Sequence, residues 1–222
     1  MNIILLISNI VVCLCAFAGF IYGIVKFMSS KKAVYAQMIT FAVGCMAFGR
    51  LYQVVRLLTV GSISGEFQLG IFGIIGSLMF LFSANFGLMD SLADDGSKEY
   101  LKYRLIPLAA PAAAALVYVL TFIAGDNSAF ARIIAGIITV FVSIAAYFNL
   151  KHLIFPDVDF GVINCLKLYN LLALAFEALC IAELVASRYK SEATDLIIGI
   201  LMGAVLLIMT PAVERGIKKW TT

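Results

Sequence analysis

The stretch AVYAQMITFAVGCMAFGRLYQVVRLL, Ala33–Leu58, runs 26 residues and carries no charge before Arg50 and Arg56. At a helical rise of about 1.5 Å per residue it extends for about 39 Å, enough to cross a hydrocarbon layer about 30 Å thick. Its reading decides the fold, because a soluble helix of this length would show a broad polar face. This one shows scattered polar residues in an apolar run, so lipid is the solvent that fits it.

The rest of the chain has the same character. Of its 222 residues, 63% are hydrophobic and 13% charged, and the mean hydropathy is +1.05, well outside the range of soluble domains. Segments of spanning length occur at Ile3–Val25, Ala33–Leu58, Phe67–Met89, Leu105–Ile123, Phe130–Phe148, Phe160–Val185 and Leu196–Val213. Alternation of apolar and polar residues, the mark of a membrane β-barrel, is absent from the sequence. The expectation is an all-α integral membrane protein, with residues 1–222 forming a single seven-transmembrane-helix bundle. The connecting segments, such as TVGSISGE, GDNSA, NLKHLIFPDVD and SRYKSEATD, are short and polar or turn-rich. They leave no room for a folded soluble domain.

Orientation follows from the basic residues, which resist translocation. Alternate loops collect ten of them on one side, among them Lys26, Lys98, Arg104, Lys151 and Lys218, against four on the other, Arg56, Arg132, Arg188 and Lys190. The amino terminus is therefore expected outside and the carboxyl terminus inside, in a cytoplasmic or plasma membrane. AFA at Ala16–Ala18 resembles a cleavage site, but MNIILL has no basic n-region and the apolar run continues to Val25, so the first segment reads as a retained span. The formal charge of +3 reflects loops facing anionic lipid and does not suggest nucleic acid as a partner.

Arg50 lies 17 residues beyond Ala33, and Glu177 lies 17 beyond Phe160 on a helix running the same way. Both stand roughly 25 Å along their axes. Six residues further stand Arg56 and Glu183. An ionised group facing lipid is costly, so such residues turn inward and find partners. The expectation is a polar outer cavity in which Arg50 meets Glu177, with Arg56 and Glu183 at its rim. Gln53, between the two arginines, extends the polar face, and Asn9, Tyr52 and Asn170 are candidate lining residues. Lys167 snorkels toward the inner interface. Asn85 and Asp90 are expected to cap loops or bind lysines from the inner loops.

Several chemistries find no support in the sequence. The one histidine, His152, is placed in a loop and reads as solvated, and no histidine-rich or carboxylate-rich metal cluster accompanies it. In GSISG, Gly61–Gly65, Ile63 occupies the position where a nucleophilic serine would stand. LIIGILMGAVLLIMTPAV contains no lysine for a retinal Schiff base. The five cysteines all fall in predicted spans without a metal or disulfide pattern. No catalytic motif and no cofactor signature is found, so the chain does not read as an enzyme. The leading expectation is a receptor or sensor that binds a small, anionic ligand in the outward cavity and signals through cytoplasmic loops to a cytoplasmic or membrane protein partner. A solute or ion transporter, a channel subunit and a non-catalytic scaffold in membrane lipid are the alternatives. Concentration of strong polarity in the outer half, and the lack of a clear internal repeat, favour the sensor.

Overall fold

A computed structural model describes residues 3–28, 33–62, 69–86, 90, 94, 96–125, 127–156, 162–189 and 191–221. The described residues form helices and connecting turns, with no strand among them. In chain order the helices are α1 (Ile3–Phe27), α2 (Val34–Val60), α3 (Leu69–Ala84), α4 (Lys98–Ile123), α5 (Ala129–Ile154), α6 (Val162–Tyr189) and α7 (Glu192–Thr221). Six are long and apolar enough to cross a membrane, and α3 is shorter at 16 residues. The chain is an integral membrane protein. Large apolar side chains such as Leu14, Phe48, Phe72, Leu120, Ile133 and Leu201 face outward, as a lipid solvent requires.

Hydropathy marks where side chains are apolar, whereas the backbone stays helical until something stops it. α5 continues six residues past the expected end at Phe148, and α7 runs through Pro211 to Thr221, well past the expected end at Val213. α4 starts seven residues before Leu105 and is irregular: a 3₁₀ turn at Ile106–Leu108 accommodates Pro107, and a π-helical turn, Val119–Ile123, ends it. α2 stops where Gly61 takes φ 78°, donating its N–H to Leu57 O at 3.0 Å. α5 begins where Ser128 Oγ accepts from the Ala131 N–H at 3.2 Å. For α3, the expected span is helical from Leu69, and Asn85 and Phe86 form a π turn at its end. Phe67, Gln68 and Gly87–Met89 lie outside the described residues, as does Phe160 at the expected start of α6.

α1 is clamped between α2 and α7, α3 lies on α2 and α5, α6 lies between α5 and α7, and α4 packs on α5 at the periphery. Small residues set the closest crossings. A Cβ added at Gly73 would stand 2.6 Å from Gly49 Cα and 2.7 Å from Cys45 O, so α2 and α3 meet backbone to backbone. The core is filled by residues that include Ile39, Met46, Leu78, Phe176, Met202 and Leu206. Cross-helix bonds from Ser8 Oγ to Asp195 O (2.8 Å) and from Thr210 Oγ1 to Gly19 O (2.9 Å) fasten α1 to α7. This clamp fixes Asn9 beside the middle of α2.

Candidate functional site

Arg50 projects from α2 into the bundle and is 4% exposed. Its Nη1 donates to Asn9 Oδ1 on α1 at 3.1 Å and to Gln53 Oε1, one turn along α2, at 3.0 Å. Its Nη2 forms an ion pair with Glu183 on α6 and sits 3.3 Å from Met202 Sδ on α7. One guanidinium thereby joins four helices. Such a fork of fixed donors suits arginine better than lysine, whose ammonium is a point charge.

The pairing differs from the expected one. Arg50 meets Glu183 in place of Glu177, and Arg56 donates from Nη1 to Tyr52 Oη at 3.3 Å. Matching by axial rise follows Cα atoms alone. Counting from Ala33 and Phe160 assumes that the two helices start level, and it leaves open which face of each helix a side chain occupies.

Above this pair opens a cavity of about 770 Å³ at the end of the bundle where α1, α3, α5 and α7 begin. Its walls are apolar, with Leu57, Ile71, Ile74, Phe122, Ile134, Ile138 and Leu184 among them, and its polar lining includes Asn9, Arg50, Gln53, Glu183, Ser187 and Asp195. A cleft of about 20 Å³ continues from Arg50, Glu183 and Asp195 toward Ser8 and Met202. Among the described residues lining the cavity, the ionisable groups expected to be charged are one guanidinium and two carboxylates. The guanidinium is buried under its partners, whereas the Glu183 side chain is 31% exposed. The accessible charge is negative. Tyr52, Arg56, Asn170 and Glu177 are not among the lining residues; Tyr52 instead borders an apolar groove on α1–α3 with Phe20, Phe48 and Phe72. Asp195 and Cys180 join the lining beyond the residues expected from sequence, Asp195 because the first turn of α7 reaches back into the polar SRYKSEATD segment.

A second polar layer lies deeper. Asn149 Nδ2 donates to Glu177 Oε1 at 2.5 Å, and Asn85 Nδ2 donates to Asn149 Oδ1 at 2.5 Å and to Asn170 Oδ1 at 3.3 Å. All four side chains are at most 1% exposed.

A third layer closes the end where α5 finishes. Lys151 Nζ lies 2.6 Å from Asp90 Oδ1 and 2.7 Å from Asp94 Oδ2, and His152 Nε2 is 3.3 Å from Asp90 Oδ1. Arg104 grips Asp94 through Nε (2.7 Å) and Nη2 (2.6 Å), the bidentate geometry that makes guanidinium–carboxylate pairs strong. Lys151 and His152 occupy the last turn of α5, where the helix dipole favours cations. Both are 3% exposed, which corrects the expectation of a solvated His152 in a loop: the helix continues through them and tucks them beneath the two aspartates. Asp90 does bind a lysine, as expected, whereas Asn85 serves the deeper layer. The bond from Arg104, joined by Lys151 and the Gly96 N–H, holds the Asp94 carboxyl well below the usual aspartate range against the opposing effect of burial. For Asp90, burial pushes upward, but His152 and Lys151 outweigh it and the net shift is downward. Strong polarity therefore extends through the bundle and is not confined to the cavity end.

No protein-family model, curated protein or solved structure matches this chain.

Proposed function

We propose that the chain is a membrane receptor or sensor module that binds a small amphipathic molecule carrying a cationic group. In this reading all seven helices cross the membrane, α3 as a short span, with the amino terminus and the cavity outside. The observation that carries it is the charge of the cavity: Arg50 and Glu183 neutralise each other, Asn9 and Gln53 take up the remaining guanidinium donors, and Asp195 leaves the described lining with one negative charge in excess. An ammonium or amidinium group would sit against the two carboxylates, and its apolar body against Ile71, Ile74, Phe122 and Ile134. This replaces the anion anticipated from the sequence, because the one arginine of the lining has no charge to spare. A volume of about 770 Å³ is that of ordinary small-molecule pockets.

Binding gains a signal only if the ligand favours one of two arrangements. A cation that draws Glu183 away from Arg50 loosens the link between α2 and α6, and the rearrangement reaches the far end through α5 and α6. Transport is the second reading, favoured by the polar layer around Glu177 beneath the cavity floor.

The test is a panel of small organic amines, neutral isosteres and carboxylates, titrated against the purified full chain in lipid nanodiscs. The amines bind preferentially, and Glu183→Gln weakens them about 10- to 100-fold, the loss of a charge-assisted bond. Preference for carboxylates, or unchanged amine binding by E183Q, would contradict the proposal. Uptake of a binding amine into proteoliposomes would move the assignment from sensing to transport.

A further inference from the structure

The Glu177 layer has a carboxylate without a counter-charge. The two buried basic groups Arg50 and Lys151 are paired elsewhere, Arg50 with Glu183 and Lys151 with Asp90 and Asp94. Glu177 Oε1 accepts from Asn149, but Oε2, buried with the rest of the side chain, has no partner. Asn85 Oδ1, also buried, has none either. Asn149 Oδ1 and Asn170 Oδ1 each accept one bond from Asn85, which leaves an amide oxygen a further lone pair. The arrangement is thus rich in oxygen acceptors, and Asn85 stands in a π turn, a distortion frequent at functional positions.

We propose that Glu177, Asn85, Asn149 and Asn170 form a binding site for one dehydrated monovalent alkali cation. Oxygen ligands suit a hard cation. The single carboxylate balances a single positive charge, whereas a divalent ion would leave the buried site net positive. Among the described residues no group of three or more His, Cys, Asp or Glu is placed to hold a metal ion. A proton on Glu177 is the competing occupant of the layer, and the pH arm of the test below separates it from a cation. The site stands apart from the cavity reading, since it involves none of the cavity-lining side chains.

The test is equilibrium dialysis of the purified full chain in nanodiscs against radioactive sodium and, separately, potassium, together with thermal unfolding at constant ionic strength. One of the two cations binds at one per chain and raises Tm by about 5–10 °C when present at about 100 times its Kd. Glu177→Gln abolishes both effects. Because that variant can alter folding by itself, Asn170→Ala, which keeps the carboxylate, provides a second reading: its affinity falls at least about tenfold, one hydrogen-bonding ligand's worth. Absence of stoichiometric binding of either cation to the unmodified chain overturns the site. So does a stability that responds to pH but to neither cation, which would assign the carboxyl a proton alone. The outcome is read without any organic ligand, so its failure leaves the cavity proposal untouched.

Discussion

Arg50→Met destabilises the folded chain by about 3 kcal/mol, the low end of the cost of orphaning one partner of a buried ion pair. The low end applies because Glu183 keeps 31% of its side chain exposed and solvent offsets part of the loss. What remains after the substitution is a carboxylate at the cavity floor together with Asn9 Oδ1 and Gln53 Oε1, all stripped of their donor. The informative experiment is a pair of double-mutant cycles read by denaturant unfolding. With Glu183→Gln as the second change, the costs are non-additive by about 1–3 kcal/mol, because the two residues share one interaction. With Glu177→Gln the costs add to within about 0.5 kcal/mol, since Glu177 bonds to Asn149 and not to Arg50. Coupling to Glu177 in place of Glu183 would restore the pairing anticipated from axial rise.

Lys151→Met has an effect of similar size at the opposite end, about 3–5 kcal/mol. Lys151 is 3% exposed and its ammonium bridges two aspartates at once. Arg104 continues to hold Asp94 in the variant, so Asp90 bears most of the loss, and adding Asp90→Asn recovers a large part of it. A change below about 0.5 kcal/mol, the scale of an ordinary surface substitution, would show that this cluster is not a structural lock. The same cluster sets the acid limb of stability. Asp94 and Asp90 have depressed pKa values in the folded chain, so their contribution is fully present above the unfolded aspartate value of about 4 and is lost as pH falls below it. Thermal unfolding measured from neutral pH downward stays level to about pH 5 and declines below about pH 4, and Asp94→Asn flattens that decline.

The apolar runs were legible because a spanning helix must satisfy its own backbone, so each run of sufficient length announces itself. Arg50, Gln53, Glu183 and Asn9 were legible as inward-facing for a related reason: a polar group in such a run has few other places to go. Their pairing was not. Counting rise presumes that two spans start level and says nothing of the face each residue occupies, so Arg50 finds Glu183 through a helix register that only the packed bundle sets. Lys151, His152 and Asn149 were misplaced for a different reason. NLKHL reads as a polar loop, yet the helix runs on through it, and the aspartates that make burial tolerable lie some 60 residues earlier in the chain. Such charge compensation is a tertiary fact. Asp195 was hidden in the same way, counted with the SRYKSEATD loop although it stands in the first turn of α7.

The accessible charge of the cavity is tested most directly by thiol chemistry. Leu184→Cys, placed on the cavity wall in a chain whose native cysteines are replaced, is exposed in sealed vesicles of known orientation to ethylammonium and ethylsulfonate thiosulfonate reagents. The account predicts that, after correction for their reactivity with a free thiol, the cationic reagent modifies Cys faster by about tenfold, the effect of about 1.4 kcal/mol of electrostatic preference. It also predicts that modification occurs from the side carrying the amino terminus. Faster modification by the anionic reagent, or reaction only from the opposite side, would contradict it.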